Sequence, residues 1–410
     1  MLLLRNLRPG RPGGRHGIAS GESRDPIGYV VAVLNRLAQS DLLDRVGLRK
    51  QAEQTVFTVT RGGFRTATTA GRAFARAGRR GRPGQRASNA PARGFFDLTP
   101  TEDEQMLVDV VTELATEVLR PAAADADAAC TAPEEVLQAA NEIGLPLLGV
   151  PESLGGLSEE RAVMAGTLVA EALAKGDLGL AVATLAPGAV ATAIGTWGSE
   201  EQQQTYLPAF TGDGARGGSV AAAALALTEP RPLFDALEPR TTARRDGDDL
   251  VLDGVKSMVP RGADADGDGT AYAPDAYHEC LRLSRLAWCA LSVGVGQAVL
   301  DHVTPYVKER EAFGEPVAHR QSVAFMVADI AIELQSMRLL TWKAASRAAA
   351  GKDFAREVAL ARKLCADKGM KIGLDGVQLL GGHGFVKEHP VERWYRDLRA
   401  ISIMEGGVLV

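Results

Sequence analysis

From Leu98 onward the chain repeats apolar positions at helical spacing, except for one short stretch where the spacing falls to two. Thr99-Pro100 followed by Glu102, Asp103 and Glu104 opens the first helix, because carboxylates favour the positive end of the macrodipole. That helix is expected to run to about Leu119. A second is predicted near Pro133 to Ile143, opened by proline and two glutamates and closed by Gly144, and more helices fill 158 to 210. Around residue 225 the period switches. Thr241 to Arg245, Leu250 to Leu252 and Val255 to Val259 read as short extended runs, with Asp246-Gly247 and Asp253-Gly254 as hairpin signals between them. After Tyr272 long stripes return: Leu286, Cys289, Val293, Gly296, Leu300, Val303 and Val307, then Val323, Val327, Ile330, Leu334, Met337 and Thr341. A third long helix covers about Asp353 to Leu380. Each stripe needs a partner of its own length, which an antiparallel bundle supplies. The order is helices, a small sheet, helices.

Ahead of this body the texture differs. The first 25 residues are Arg, Gly and Pro behind Leu2-Leu3-Leu4, too short an apolar run for a secretory signal, so disorder is the default expectation. Ile27 to Val46 carries an amphipathic stripe, and an Arg/Gly/Thr-rich linker follows to Arg93. The net charge of −5 hides a split: residues 1–96 carry 18 Arg/Lys against 5 Asp/Glu, whereas 97–410 carry 28 against 46. The catalytic or binding body is therefore expected in the acidic part. The basic leader fits a transit peptide, a nucleic-acid arm or mistaken upstream translation; an acidic body that repels a duplex speaks against nucleic acid as a partner.

At 46% hydrophobic and 24% charged, 410 residues suffice for two or three domains with cores, which excludes wholesale disorder. Cys130, Cys280, Cys289 and Cys365 are scattered without a CxxC pair, pointing to a reducing, cytoplasmic setting with thiols packed as small hydrophobes. The best window for a membrane span, Leu178 to Trp197, is rich in Ala, Thr and Gly around Pro187. It reads as buried helices joined at the proline, with no transmembrane segment expected. Asp264, Asp266, Asp268, Gly269 and Asp275 approach a calcium-loop spacing but end in Asp instead of Glu and have no clear entering helix; no metal is expected. Gly294-Val-Gly296 lacks a third glycine and a preceding strand, which leaves helix packing as its explanation.

Six stretches then carry a family resemblance by their order and spacing: Gly149-Val-Pro-Glu-Ser-Leu-Gly-Gly156, Trp197-Gly-Ser-Glu-Glu-Gln with Tyr206-Leu-Pro208, Thr228-Glu-Pro230, Glu309-Arg-Glu-Ala-Phe-Gly314, Gln378-Leu-Leu-Gly-Gly-His-Gly-Phe385 and Met404-Glu-Gly406. The chain from 97 to 410 resembles an acyl-CoA dehydrogenase. The resemblance implies a mainly α fold behind the 1–96 extension: an N-terminal helical domain (97–220), a small, truncated middle β domain (221–268) and a C-terminal antiparallel four-helix bundle (269–410). It also implies FAD, an acyl-CoA substrate, an electron-transferring flavoprotein as partner, and a homodimer or homotetramer.

By the same resemblance Glu405 is the base that removes the α-proton of the thioester while the β-hydride passes to flavin N5. The residues alone allow two readings of it. A carboxylate edging the apolar Ile401, Ile403 and Met404 beside Gly406-Gly407 can be desolvated into a useful base, or it is a lone acid near a chain end. Some relatives carry the base on an earlier helix; the matching position here is Ser284, which cannot serve. Arg310, Phe313, Gln378, Gly381 and Gly382 match residues set against the flavin of a neighbouring subunit. A guanidinium suits a bidentate phosphate contact and glycines let the backbone approach a ligand; the plain alternatives are a solvated charge and a helix stop. Thr228 joins the cofactor set. Arg285 is implied near the catalytic end of the acyl-CoA site, with an ion pair to Glu279 or a neighbouring Asp as the equal alternative.

Departures from the family pattern concentrate on the cofactor side. Arg231-Pro232-Leu233-Phe234-Asp235 replaces a Gly/Ser turn that contacts ligand phosphates, Met258 and Pro260 stand where a Trp and a Thr border the flavin ring, and Gly407 replaces a Thr. Proline has neither hydroxyl nor backbone donor, so one flavin hydrogen bond is expected to be missing. Between Asp266 and Gly267 roughly fifty to sixty residues of the middle sheet are absent, and an open sheet edge over 225–266 would favour loss of cofactor binding. The leading expectation is α,β-dehydrogenation of an acyl-CoA. An acyl-CoA oxidase of the same fold, a non-catalytic nucleic-acid-binding relative and an inactive fragment are the competitors.

Overall fold

The computed structural model describes residues 98, 100–157, 162–211, 222–247, 249–261 and 274–408. The chain divides into two units, Met1–Ala92 and Arg93–Val410, and every described residue belongs to the second. The expectations for 1–96, including the Ile27 to Val46 helix, and most of the Asp264 to Asp275 spacing lie outside the described residues.

Helix α1 (Glu102–Leu114) starts on a reciprocal cap: Glu104 N–H donates to Thr101 Oγ1 at 3.2 Å, and Thr101 N–H donates to Glu104 Oε2 at 2.8 Å. The expected stop at Leu119 is not observed. A π-type turn over Ala115–Leu119 leads straight into α2 (Arg120–Ala129), and the widened turn lies just ahead of Pro121, which has no N–H to donate to it. Next come α3 (Glu134–Glu142), α4 (Val163–Gly176), α5 (Leu178–Trp197) and α6 (Glu200–Tyr206). Asp177 joins α4 to α5; its buried carboxylate accepts from Leu180 N–H and pairs with Arg393 at 3.0 Å. The expectation of two helices meeting at Pro187 is corrected: α5 runs through the proline as one helix, since packing on both sides outweighs one lost hydrogen bond. Leu178–Trp197 and Asp275–Glu309 are each long and apolar enough to cross a membrane, but more than half of each apolar window is buried within the structure.

The extended region holds β1 (Thr242–Asp246) and β2 (Asp249–Asp253), an antiparallel pair turning at Gly247, whose φ of 66° suits glycine. The third expected run, Val255 to Val259, is not a strand: a Cβ at Gly254 would lie 2.5 Å from Thr241, and the chain leaves the sheet there. Ser257 N–H instead donates to Thr228 O at 2.8 Å. Among the described residues both outer edges of this hairpin are unpaired.

The bundle is α7 (Pro274–Glu309), α8 (Gln321–Ala349), α9 (Ala355–Leu380) and the shorter α10 (Val391–Ala400). A two-residue ladder, β3 (Glu311–Ala312) with β4 (Glu315–Pro316), joins α7 to α8. Leu286, Cys289, Val293, Val303, Val307, Ile330, Leu334, Met337 and Thr341 are buried, as their spacing predicts. Gly294 has a packing role: a Cβ there would meet Glu171 O on α4 at 2.2 Å, so α4 closes on α7 only across a glycine.

Candidate active site

Two sites emerge, one against the N-terminal half of α7 and one where α7 ends. The first is built around Glu405, which follows α10 and the turn that begins at Ile401. It is 6% exposed, and its φ of 61° lies in the left-handed region, which costs a non-glycine residue about 1 kcal/mol or more. The surroundings fix that conformation. Arg285 on α7 donates through Nε (3.3 Å) and Nη2 (2.8 Å) to Glu405 O, and Arg362 on α9 donates through Nη2 to Met404 O (2.6 Å) and to Gly406 O. Gly407 N–H donates to Phe234 O at 2.9 Å, and a Cβ on Gly406 would also crowd that oxygen, so glycine is required where the 231–236 segment crosses the loop.

The carboxyl itself is asymmetric. Oε1 accepts from Ser284 Oγ at 3.0 Å and from Trp288 Nε1 at 3.2 Å, while Oε2 is buried and has no partner. Burial pushes its pKa up from the ordinary carboxylate value, against the Ser284 and Trp288 hydrogen bonds and the Arg362 and Arg285 charges. Cys280 and Tyr277 are each pushed up to about 12 by burial and by the Glu405 charge. Ser284, the position matching the alternative base, is thus the hydrogen-bond partner of Glu405.

Ser284 is also part of the wall of a cavity of about 230 Å³ between α4, α5 and α7. Leu148, Gly166, Thr192, Trp197 and Cys280 help to line it, and no charged side chain does. A Cβ built on Gly166 meets nothing within 4 Å, so this glycine leaves the cavity its depth on the α4 side.

The second site is a cleft of about 500 Å³ where α7 and α9 end, lined by Tyr306, Arg310, Arg320, Gln378, Gly381 and Gly382, among others. Four of the expected cofactor residues therefore share one concavity: Arg310, Gln378 and the two glycines. Gly381, with a φ of 59°, ends α9. Phe313 is not with them. It is 96% exposed at a φ of 58°, with the Arg320 guanidinium 5.1 Å from its ring centroid. Thr228 also stands apart from the cleft, buried beside Ser257.

Arg285 donates to the Glu405 carbonyl, and the charge of Asp235 also acts on it. Arg362, Trp288 and Arg320 escaped the sequence reading. Arg362 had a signal: it is a charge set within the buried face of Val358, Ala361, Cys365 and Ala366. On the ring side, Met258 is 52% exposed with a φ of 52°, and the hairpin beyond it shows its open edges.

The pattern described as acyl-CoA dehydrogenase, C-terminal domain, matches residues 274–407, and the corresponding N-terminal domain pattern matches residues 101–213. The probable acyl-CoA dehydrogenase fadE25 of Mycobacterium leprae is 30% identical over 379 residues, covering 76% of this chain and 94% of the relative. Since 76% of 410 is about 312, an alignment 379 long leaves positions of the relative without a counterpart here, in keeping with a shortened middle sheet. The butyryl-CoA dehydrogenase of Megasphaera elsdenii superposes with a TM-score of 0.68 at 23% identity, covering 76% of this chain and 97% of that one. PigA, in a structure with FAD and proline, gives 0.66 at 20% identity, covering 76% and 96%. At these identities the likeness of the two structures is one of fold.

Proposed function

The chain belongs to the acyl-CoA dehydrogenase family, and on that footing we propose that it introduces an α,β double bond into an acyl-CoA thioester, with Glu405 as base and FAD as hydride acceptor. The observation that carries this reading is the buried carboxyl whose Oε1 is held by Ser284, a residue of the apolar cavity's wall, and whose Oε2 is left without a partner. Ser284 and Trp288 hold Oε1, so Oε2 is the atom that takes the α-proton. Burial makes the ionised carboxylate the stronger base, and an apolar wall excludes the water that would compete for the proton. The uncharged lining suits a hydrocarbon acyl chain and offers no cation to a second carboxylate.

The cleft at the far end of α7 fits the phosphate-bearing half of FAD: Arg310 and Arg320 supply cations, Gln378 an amide, and Gly381-Gly382 an approachable backbone. Bound FAD would supply two-electron chemistry at its ring, taking the β-hydride. Ser284 and Arg310 are 26 residues apart on and just past one helix, a span of about 39 Å at 1.5 Å per residue. One flavin cannot reach from this cleft to Glu405 of the same chain, which supports a homo-oligomer in which the cleft serves a neighbour's flavin. The electron acceptor expected for such a chain is an electron-transferring flavoprotein.

Glu405→Gln is expected to lower kcat about a thousandfold on a panel of acyl-CoAs while leaving flavin absorbance unchanged; undiminished turnover would exclude Glu405 as base. The open hairpin favours a second reading, in which the dehydrogenase fold is kept without a bound flavin. Protein purified with no absorbance at about 450 nm, and none after incubation with FAD, would establish that alternative.

A further inference from the structure

Three consecutive carbonyls around the base are each held by a guanidinium. Arg285 takes the middle one, of Glu405, and Arg362 takes both outer ones, of Met404 and Gly406. Arg362 is 4% exposed, makes no ion pair among the described residues, and leaves Nη1 buried without a partner. Burying such a cation is costly, and two neutral carbonyls do not cancel its charge. Burial and the charge of Arg285 bring its pKa down to about 10, so it remains a cation at neutral pH. The other groups facing Glu405 do not replace it. Tyr277 and Cys280 are neutral near pH 7, Ser284 and Trp288 carry no charge, and Arg285, the other cation acting on Glu405, has a smaller effect on it than Arg362 and is offset in part by Asp235.

We propose that Arg362 is a positioning residue for Glu405, fixing the left-handed turn that presents the carboxyl and supplying the positive charge that keeps this buried acid ionisable. The proposal rests on the reading of Glu405 as base, and its test has a readout independent of turnover. Trp288 donates its indole N–H to Glu405 Oε1, so its fluorescence follows the titration of that carboxyl.

In the full-length chain, Arg362→Met is expected to raise the fluorescence midpoint by about one pH unit, with Arg362→Lys, which keeps the charge, near the wild-type value. The transition should vanish in Glu405→Gln and in Trp288→Phe. In turnover, Arg362→Met should lower kcat about tenfold with little change in KM and move the acid limb of kcat up by the same interval. An unshifted midpoint in a folded Arg362→Met protein overturns the proposal, as does a full shift in Arg362→Lys. Should Arg362→Met fail to fold, Arg362→Gln, which retains an amide donor and lacks the charge, gives the same decision. The midpoint tests Arg362 and turnover of Glu405→Gln tests the base, so the two claims fail separately.

Discussion

The Glu405 loop and the β1–β2 hairpin are built to different standards. In the loop a left-handed main chain is held at three successive carbonyls, and the carboxyl has two donors on one oxygen. In its two strands every residue except Val251 is exposed, and the region is tied down largely by Glu229. That buried carboxylate accepts from Arg240 N–H, Thr241 N–H, Thr241 Oγ1 and Lys256 Nζ. The contrast teaches that the half of the site proposed to take the proton is over-determined, while the half that would border the flavin ring is held mainly through one acid. The two halves should therefore separate under mutation.

The largest separation is expected from Glu229→Gln. Burial would raise the pKa of Glu229, but its hydrogen bonds outweigh this and hold it at about 2. Its contribution to stability is complete above the ordinary value of 4.5 and is lost as pH falls toward 2. The substitution should cost about 2–3 kcal/mol locally at pH 7, seen as faster amide exchange and proteolysis in 229–256, with exchange in α7 and α9 unchanged. Equal loosening of the bundle would erase the contrast.

A smaller effect sharpens the loop side. Gly166→Leu fills the open space of the cavity, so kcat/KM should fall about tenfold for the longest acyl-CoAs accepted and hold for the shortest. A uniform loss across chain lengths would place the acyl group elsewhere.

The smallest concerns the bundle's own acid. Asp397 is pushed up to about 7 by burial and the Asp177 charge, and its Oδ2 has no partner. A raised carboxylate works in the opposite sense to Glu229: its contribution is full below the ordinary 3.8 and is lost as pH rises through 7. Asp397→Asn should therefore raise stability by about 1 kcal/mol at pH 8 and leave it unchanged below pH 4 in chemical denaturation.

Much of this fold was legible because long stripes such as Leu286 to Val307 follow one period, and tertiary packing reinforces what the period predicts. Motif order singled out Glu405, which the fold buries, and Arg310 and Gln378, which it brings to one cleft. Local rules failed where packing overrode them: Pro187 sits inside one helix, Leu119 ends nothing, and Val255 to Val259 turns away from the hairpin at Gly254 and pairs with no strand among the described residues. Arg362 was missed because a lone arginine in an apolar stripe names no partner; its carbonyl ligands lie some forty residues downstream, brought to it by the return of α10. Phe313 shows the converse, a motif residue whose side chain the fold turns outward.

The most direct test of Glu405 as base is exchange at the α-carbon, which needs no hydride acceptor. An acyl-CoA deuterated at C2 and incubated with the protein in ordinary water should lose α-deuterium, as read by mass spectrometry, and Glu405→Gln should abolish that loss. Exchange persisting at the wild-type rate in the variant would contradict the account.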